Sequence, residues 1–246
     1  MALLKTSFSS NSTFCFLITG FLLIVPGGIN NVYGQESENK YEVNRSIIGE
    51  RRCSKGVKTG HEILYKFGRK WIKRQCVEGR VEGLITVWSE SGNIIHKGLY
   101  TDGKMDGRVT DWYENGGKYI EGNYNYGKPN GRFRVWYENG QLELENYFKD
   151  AVSHGLFTSW YENGQKESEG HYIGGKLNGL HTGWYENGQK EFEAYYIDEE
   201  LDGRFTKWYE SGQKESEQYY DRGKRKGGLT EWTKGGRIIF KKDYKE

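Results

Sequence analysis

Apolar and polar residues alternate along most of the chain beyond residue 60, in short runs separated by glycine-containing turns. In the run Gly155-Leu-Phe-Thr-Ser-Trp160, for example, Phe157 and Trp160 fall on opposite sides of an extended chain. Such alternation is typical of half-buried β-strands, and no run has the spacing of an amphipathic helix. The pattern therefore predicts short strands joined by tight turns.

The alternation belongs to a repeat of 24 residues. Seven tryptophans recur at intervals of 24 residues, and Leu64 stands one period before the first of them. A glycine follows four residues after each of these eight positions. A fixed period of this length is typical of proteins whose units are too small to bury their own apolar side and therefore stack on their neighbours. The period predicts eight units, the first of them degenerate. The tryptophans are Trp88, Trp112, Trp136, Trp160, Trp184, Trp208 and Trp232.

Each unit contains an Asn-Gly or Ser-Gly pair between two strand-like runs, as at Asn163-Gly164. Asn-Gly favours a two-residue hairpin turn in which both residues have positive φ. The second connection, as in Gly175–Gly179, has glycines four apart and is predicted to be a longer turn. The predicted fold is all-β: an elongated, single-layer antiparallel meander of about eight 24-residue hairpins, with about sixteen strands.

A two-residue turn at Asn163-Gly164 determines the pairing. It places Trp160 opposite Glu167 on one side of the sheet, the Trp face, which also carries a threonine row and two glutamate rows. It places Phe157 opposite Gly170 on the other side, the Phe/Tyr face. An aromatic ring over a cross-strand glycine stabilises a sheet, so the Phe/Tyr face is predicted to be the packing face. A three-residue turn would move tryptophan to the packed side.

The composition limits the functions. Aromatic residues make up 15% of the chain, and 35 glycines accompany only 2 prolines. That aromatic content is atypical of disorder. The formal net charge of +2 offers no electrostatic attraction for nucleic acid.

The N-terminus has the pattern of a secretory signal peptide: Lys5, an apolar run over 14–25 and a small residue at Gly34. We predict a signal peptide over 1–34, a polar segment over 35–52 and the repeat domain over 53–246. The mature chain is then secreted or held in the cell envelope. An uncleaved N-terminal membrane anchor is the alternative, although twelve apolar residues are short for a bilayer.

Export would leave Cys53 and Cys76 in an oxidising compartment, where a disulfide could persist. Both cysteines lie three residues before a glycine, as if in equivalent places of successive units. Equivalent places would be two strands, roughly 10 Å, apart, whereas a disulfide needs Cα atoms within about 7 Å. The bridge is therefore an open possibility that requires a distorted first unit.

No catalytic motif, metal-ligand spacing or cofactor motif is present, and we predict no metal and no cofactor. The histidines lie at different places in their units, which favours scattered surface positions. Basic runs near both ends, such as Arg222–Lys226, make only a weak case for an anionic membrane surface.

The run Trp-Tyr-Glu-Asn-Gly-Gln-Lys, followed by an aromatic residue and Gly-Lys-x-x-Gly, resembles the bacterial variant of the MORN repeat over about residues 60–246. Leu64, Ala151 and Glu199 depart from the pattern. The resemblance implies stacked β-hairpins that act as scaffolds or interaction modules. Lipid binding is proposed for some members, and the bacterial variant is often described as an antitoxin component.

We therefore expect an exported, non-enzymatic repeat scaffold that binds a protein or an envelope component. One alternative is a carbohydrate- or cell-wall-binding module, and another is an antitoxin-like component. An enzyme using the irregular connections at 149–155 and 197–203 is a further alternative. The tryptophan row is the candidate binding site: Trp112, Trp136, Trp160, Trp184 and Trp208.

Overall fold

The computed structural model describes the backbone of 13–18 and 21–26, and residues 53–54, 56 and 58–244. Two compact units, Met1–Arg51 and Arg52–Glu246, divide the chain. In the first, β1 (Thr13–Ile18) pairs antiparallel with β2 (Phe21–Pro26). The predicted cleavage site after Gly34 and the polar segment 35–52 lie outside the described residues. Within the described part, no helix has the length and hydropathy needed to cross a membrane.

The second unit is built from strands alone in its described part. In chain order they are β3 (Gly60–Lys66), β4 (Arg69–Val77), β5 (Arg80–Trp88), β6 (Ile94–Thr101), β7 (Lys104–Trp112), β8 (Lys118–Asn125), β9 (Lys128–Trp136), β10 (Leu142–Lys149), β11 (Val152–Ser153), β12 (Gly155–Trp160), β13 (Lys166–Ile173), β14 (Lys176–Leu177), β15 (Gly179–Trp184), β16 (Lys190–Ile197), β17 (Glu200–Trp208), β18 (Lys214–Asp221), β19 (Lys224–Trp232) and β20 (Ile238–Tyr244).

These strands form one antiparallel meander in which each strand pairs with its neighbours in the chain. Short β11 and β14 are the beginnings of strands that are interrupted at His154 and Asn178, so the strands make eight hairpins. Among the described residues, β3 and β20 are the two ends of an open sheet. The predicted all-β hairpin meander is confirmed.

The Asn-Gly turn is not the two-residue turn expected. Gly164 N donates to Tyr161 O at 2.8 Å and Tyr161 N donates to Gln165 O at 2.9 Å. Gly164 has a positive φ of 83°, whereas Asn163 is not among the residues with positive φ. The loop is therefore a three-residue loop that ends in a glycine bulge.

The two-residue turns with two positive φ values occur instead at the second connection. At Asp102-Gly103 the φ values are 51° and 68°, and at Gly174-Gly175 they are 58° and 84°. The longer turn predicted there is therefore wrong. In two units the second turn position is occupied by a residue other than glycine: Ala151 (φ 71°) and Glu199 (φ 74°).

The glycine bulge changes the pairing beside it. Trp160 lies opposite Lys166 rather than Glu167, and a second irregularity restores the expected register, with Phe157 opposite Gly170. The predicted Trp160–Glu167 pair is wrong. Glu167 instead lies on the Phe/Tyr face, where its carboxylate accepts a hydrogen bond from Ser159. The predicted pairing of Tyr161 with Lys166 is wrong for the same reason, because Tyr161 bonds Gln165. The predicted pairs Phe157–Gly170, Thr158–Glu169 and Gly155–Tyr172 are confirmed.

The first unit is one residue out of phase with the others. Tyr65 lies opposite Lys70 just as Trp88 lies opposite Ile94, so Tyr65 and not Leu64 occupies the tryptophan place. The cause is a shorter turn at Phe67-Gly68, in which both residues have positive φ. The predicted equivalence of Leu64 with the tryptophans is therefore wrong.

The Phe/Tyr face is the packing face, as predicted. Its rings meet edge to face along the sheet: Phe157 and Tyr172 lie 6.0 Å apart, and Phe133 and Phe148 lie 5.8 Å apart, between centroids. Such aromatic pairs contribute beyond their buried area. The buried apolar side chains of this face include Ile72, Val81, Ile85, Val87, Tyr100, Val109, Ile120, Tyr124, Phe133, Val135, Phe148, Phe157, Tyr172 and Leu177.

A polar cluster closes the N-terminal end of this core. Cys53 and Cys76 form a disulfide with Cα atoms 6.2 Å apart. Cys53 precedes the first strand, and its N–H donates to Gly79 O, so the two cysteines are not at equivalent places in successive units. Beside them Arg74 Nε donates to Glu62 Oε2 at 2.7 Å, and both side chains are buried.

Replacing Ala151 with glycine is expected to stabilise the fold. A side chain at positive φ costs about 1 kcal/mol, and glycine removes that cost. Ala151→Gly should raise the free energy of unfolding by about this amount in urea titration. The reciprocal control is Gly127→Ala at the same turn position, where an added Cβ meets no atom closer than 3.7 Å. Gly127→Ala should lower the free energy of unfolding by a similar amount. Equal stability of the wild type and both variants would contradict backbone strain at this turn position.

Candidate interaction surface

Successive units are joined by side-chain hydrogen bonds as well as by strand pairing. Tyr161 Oη donates to the carbonyl of Trp184 at 2.7 Å, and Asn163 Nδ2 donates to the carbonyl of Glu186 at 2.8 Å. The Asn163 side chain also accepts from Gln165 N. The same pair of bonds recurs from Tyr137 and Asn139 and from Tyr185 and Asn187. The Tyr and Asn of the repeat are therefore stacking residues.

The tryptophan row lies on the Trp face and is half-buried throughout. The ammonium groups of Lys118, Lys166, Lys190 and Lys214 lie 5.3–5.8 Å from the ring centroids of Trp136, Trp184, Trp208 and Trp232. Each of these lysines also pairs with a glutamate three residues later.

At the other two candidate positions, Trp112 and Trp160, the place of the lysine is taken by Ile94 and Leu142. Cation–π contacts therefore cover part of the ring surface at Trp136, Trp184 and Trp208 of the candidate row. The threonines two residues before the tryptophans on the same strands are buried: Thr86, Thr110, Thr158, Thr182 and Thr206.

A second row on the Trp face is more exposed than the tryptophans. It consists of three cross-strand pairs in consecutive units, Leu156–His171, Leu180–Tyr195 and Arg204–Tyr219, with Tyr147 beside the first pair. The Leu and Tyr side chains of this row, which we name the Leu/Tyr row, are 38–52% exposed. Because Leu156, Thr158 and Trp160 alternate along one strand, the row shares the face of the tryptophans.

The 24-residue period does not reveal the Leu/Tyr row, because the residues of the row do not repeat strictly. The first-strand place reads Leu84, Arg108, Arg132, Leu156, Leu180, Arg204 and Gly228, so no period draws attention to it. The available signal was the excess of Leu and Tyr at two solvent-facing strand positions in units five to seven. Large exposed apolar patches on a soluble protein mark interaction surfaces.

Two histidines that were expected at the surface are buried in the Phe/Tyr face. His96 lies between Asp111, at its Nδ1, and the Tyr100 hydroxyl, 3.1 Å from its Nε2. His181 contacts the hydroxyl of Ser168 through Nε2 at 2.8 Å. Burial lowers the pKa of His181 from 6.5 to about 4. Both rings are packed within the core, so neither arrangement presents a reactive group to a substrate.

The Phe/Tyr face also carries ionisable groups near the glycine-bulge turns. Burial raises the pKa of Glu167; a hydrogen bond with Ser159 opposes the rise, and the charge of Glu191 in the next unit adds to it. Burial, together with those two glutamates, raises the pKa of Tyr161 to about 12. The Tyr161 hydroxyl therefore stays protonated and remains a donor to the next unit at neutral pH.

One group of potential metal ligands occurs among the described residues: Cys53, Glu62 and Cys76, whose ligand atoms lie within 4.8 Å of one another. The two sulfurs are bonded to each other, and the guanidinium of Arg74 is paired with Glu62. A bonded pair of sulfurs is a poor ligand, and the adjacent positive charge repels a cation. The donor set does not fit a metal ion.

Comparison with known proteins identifies the repeat. Residues 105–126, 129–150, 153–173, 177–198 and 201–222 match the family model described as MORN repeat variant. These five matches confirm the resemblance over residues 105–222. The family consists of repeat proteins associated with protein or membrane interaction and is generally non-catalytic.

No curated protein is significantly similar to the chain. A solved structure of a protein of unknown function from Bacteroides fragilis NCTC 9343 is 10% identical, covering 78% of this chain and 94% of its own. Its TM-score of 0.12 is too low for a common fold to be inferred.

Removing one stacking hydroxyl should weaken the sheet locally. Tyr161→Phe leaves the carbonyl of Trp184 without its side-chain donor, and we expect a loss of about 1 kcal/mol in the free energy of unfolding. The matched control is Tyr195→Phe, which removes a hydroxyl from an exposed residue of the Leu/Tyr row and should change stability little. Urea titration of both variants measures the difference, and equal losses would contradict the stacking role.

His181 should make the fold less stable in mild acid. Its pKa is about 4 in the folded state and near 6.5 when unfolded. Between these values the unfolded chain binds more protons, so stability falls as the pH falls from about 6.5 to 4. His181→Phe, which places the aromatic residue of Phe157 at this position, should reduce that slope when unfolding is measured across the range. The exposed His171→Gln control should keep the wild-type slope; an unchanged slope in His181→Phe would contradict the assignment.

Proposed function

We propose that this chain, whose residues 105–222 are MORN repeats, is an exported, non-enzymatic scaffold that binds a protein partner through the Leu/Tyr row. The observation that carries the proposal is the placement of Leu156, Leu180, Tyr195 and Tyr219 on the solvent side of a sheet whose other face already buries the core. These side chains contribute nothing to the Phe/Tyr packing.

The chemistry of the row fits a protein partner. Tyrosine and arginine are enriched among the residues that dominate protein–protein binding energies. In the row, Tyr195 lies opposite Leu180, and Tyr219 lies opposite the exposed Arg204. A sheet face held by hydrogen bonds on both sides of each strand is rigid, so little ordering entropy is lost when a partner docks.

Export is supported by the charged, apolar and small-residue pattern over 1–34. Carbohydrate recognition by the tryptophan row is less favoured, because lysine side chains already occupy faces of Trp136, Trp184 and Trp208. A sugar would have to displace these contacts before stacking.

The row can be tested by charge insertion. Leu180→Glu combined with Tyr195→Ser should abolish capture of partners from the native envelope fraction, because it places a charge at the centre of the apolar patch. Its stability should stay near wild type, since both residues are exposed. The control Ile94→Glu alters an exposed apolar residue outside the row and should retain capture.

Two results would overturn the proposal. One is unchanged capture by the double variant. The other is loss of capture by Trp136→Ala together with a tryptophan fluorescence response to wall glycans, which would transfer the function to the tryptophan row and to carbohydrate.

A further inference from the structure

The last strand of the sheet exposes a run of large apolar side chains. Ile238, Ile239 and Phe240 of β20 are 54%, 58% and 43% exposed. Among the described residues, β20 pairs only with β19 and its outer edge has no partner strand. An exposed, apolar strand edge is a template for the addition of another strand, and native proteins normally blunt such edges.

In the inner units, the first strand of the next unit covers the position equivalent to Phe240. Ile120, five periods earlier, is 6% exposed and lies opposite Val135 of the following strand. At the same position Ile72 is 2% exposed and lies opposite Val87. Phe240 is therefore an apolar residue at a place that only a following strand buries.

The first strand of the same chain has the matching edge. β3 is the first strand of its hairpin, and β20 is the second strand of its own. Every junction between units joins a second strand to a first strand, as β18 joins β19. The outer edge of β3 pairs with nothing among the described residues, and Ile63 is 40% exposed.

The repeat determines the register of a β20–β3 contact between two copies. In β8 and β9, Ile120 lies opposite Val135 and Gly122 opposite Phe133. With the one-residue phase shift of the first unit, the equivalent pairs are Phe240 with Leu64 and Lys242 with Glu62 of the second copy. The first is an apolar pair on the Phe/Tyr face, whereas in the second the Glu62 carboxylate is already paired with Arg74 of its own chain.

A two-fold contact between two β20 strands is disfavoured by charge. A pairing centred on Lys241 and Lys242 would set these lysines against the same residues of the other copy, and like charges opposite one another destabilise a strand pair.

The junction should be weaker than the junctions within the chain. The last unit carries Thr233 and Gly235 where other units have the stacking Tyr and Asn, as in Tyr161 and Asn163. The contact then depends on backbone pairing and the apolar side chains alone. Reversible association that depends on concentration is the expected behaviour.

We propose that copies of this chain associate head to tail, the β20 edge of one copy pairing with the β3 edge of the next and so continuing the 24-residue meander across the junction. Such a heterologous contact leaves a free edge at each end and does not close into a dimer. This inference is independent of the Leu/Tyr row.

Sedimentation velocity on the full chain tests it with two edge variants. Phe240→Lys blocks the β20 edge, and Ile63→Lys blocks the β3 edge by facing Lys241 of the other copy. Wild-type protein should form species larger than two copies as its concentration rises towards about 100 µM, a range that detects weak contacts. Each variant alone should stay monomeric. An equimolar mixture should form a dimer and nothing larger, because one intact edge remains on each variant.

Three outcomes would overturn the proposal: a monomeric wild type throughout the range, an Ile63→Lys variant that still dimerises alone, and a mixture that stays monomeric. The second would indicate a two-fold contact through β20. Thermal melting checks that the variants fold, and Ile239→Lys, at a more exposed residue, replaces Phe240→Lys if that variant melts early.

Discussion

Everything in this sheet depends on the hydrogen bonds that join one unit to the next. A single hairpin cannot bury an apolar face, so each unit relies on its neighbours for burial and for the partners of its outer backbone groups. Strand pairing supplies most of these bonds. The Tyr161 hydroxyl and the Asn163 amide add two more at the turn end, where the strand ladder has stopped. The recurrence of Tyr and Asn in the repeat follows from that geometry.

The glycine bulge distributes side chains between the two faces. The three-residue loop that ends at Gly164 shifts the strand pairing by one residue, and the extra residue Glu167 shifts it back. The register is restored, but the side chains of the residues between these two irregularities keep changed directions. As a result Lys166 lies on the Trp face and contacts Trp184, whereas Glu167 turns to the Phe/Tyr face and meets Ser159. The Trp face therefore carries rows of tryptophan, lysine and glutamate that contact one another. The Phe/Tyr face carries the aromatic core and a row of partly buried carboxylates.

The two ends of the sheet differ in how they stop. At the N-terminal end a disulfide and the buried Arg74–Glu62 pair tie the segment before β3 onto the core. At the C-terminal end the stacking residues are replaced, but apolar side chains continue to the last strand. A repeat protein normally ends in polar caps, because an uncovered unit exposes the surface that stacking would bury.

The sequence alone determined the period, the hairpin as the unit and the face that packs. Period-two alternation around Phe157 and the 24-residue tryptophan spacing are local properties that every unit repeats, so errors in one unit do not accumulate. Tertiary structure decided the turn types, because Asn163 avoids positive φ in order to bond the backbone of the next unit, a partner that propensity does not consider. It also decided the Tyr65 phase, the burial of His181 and the exposure of the Leu/Tyr row. Each of these depends on which strand lies alongside, and a residue's burial in a single sheet is set by its neighbours across the ladder rather than by its own place in the repeat.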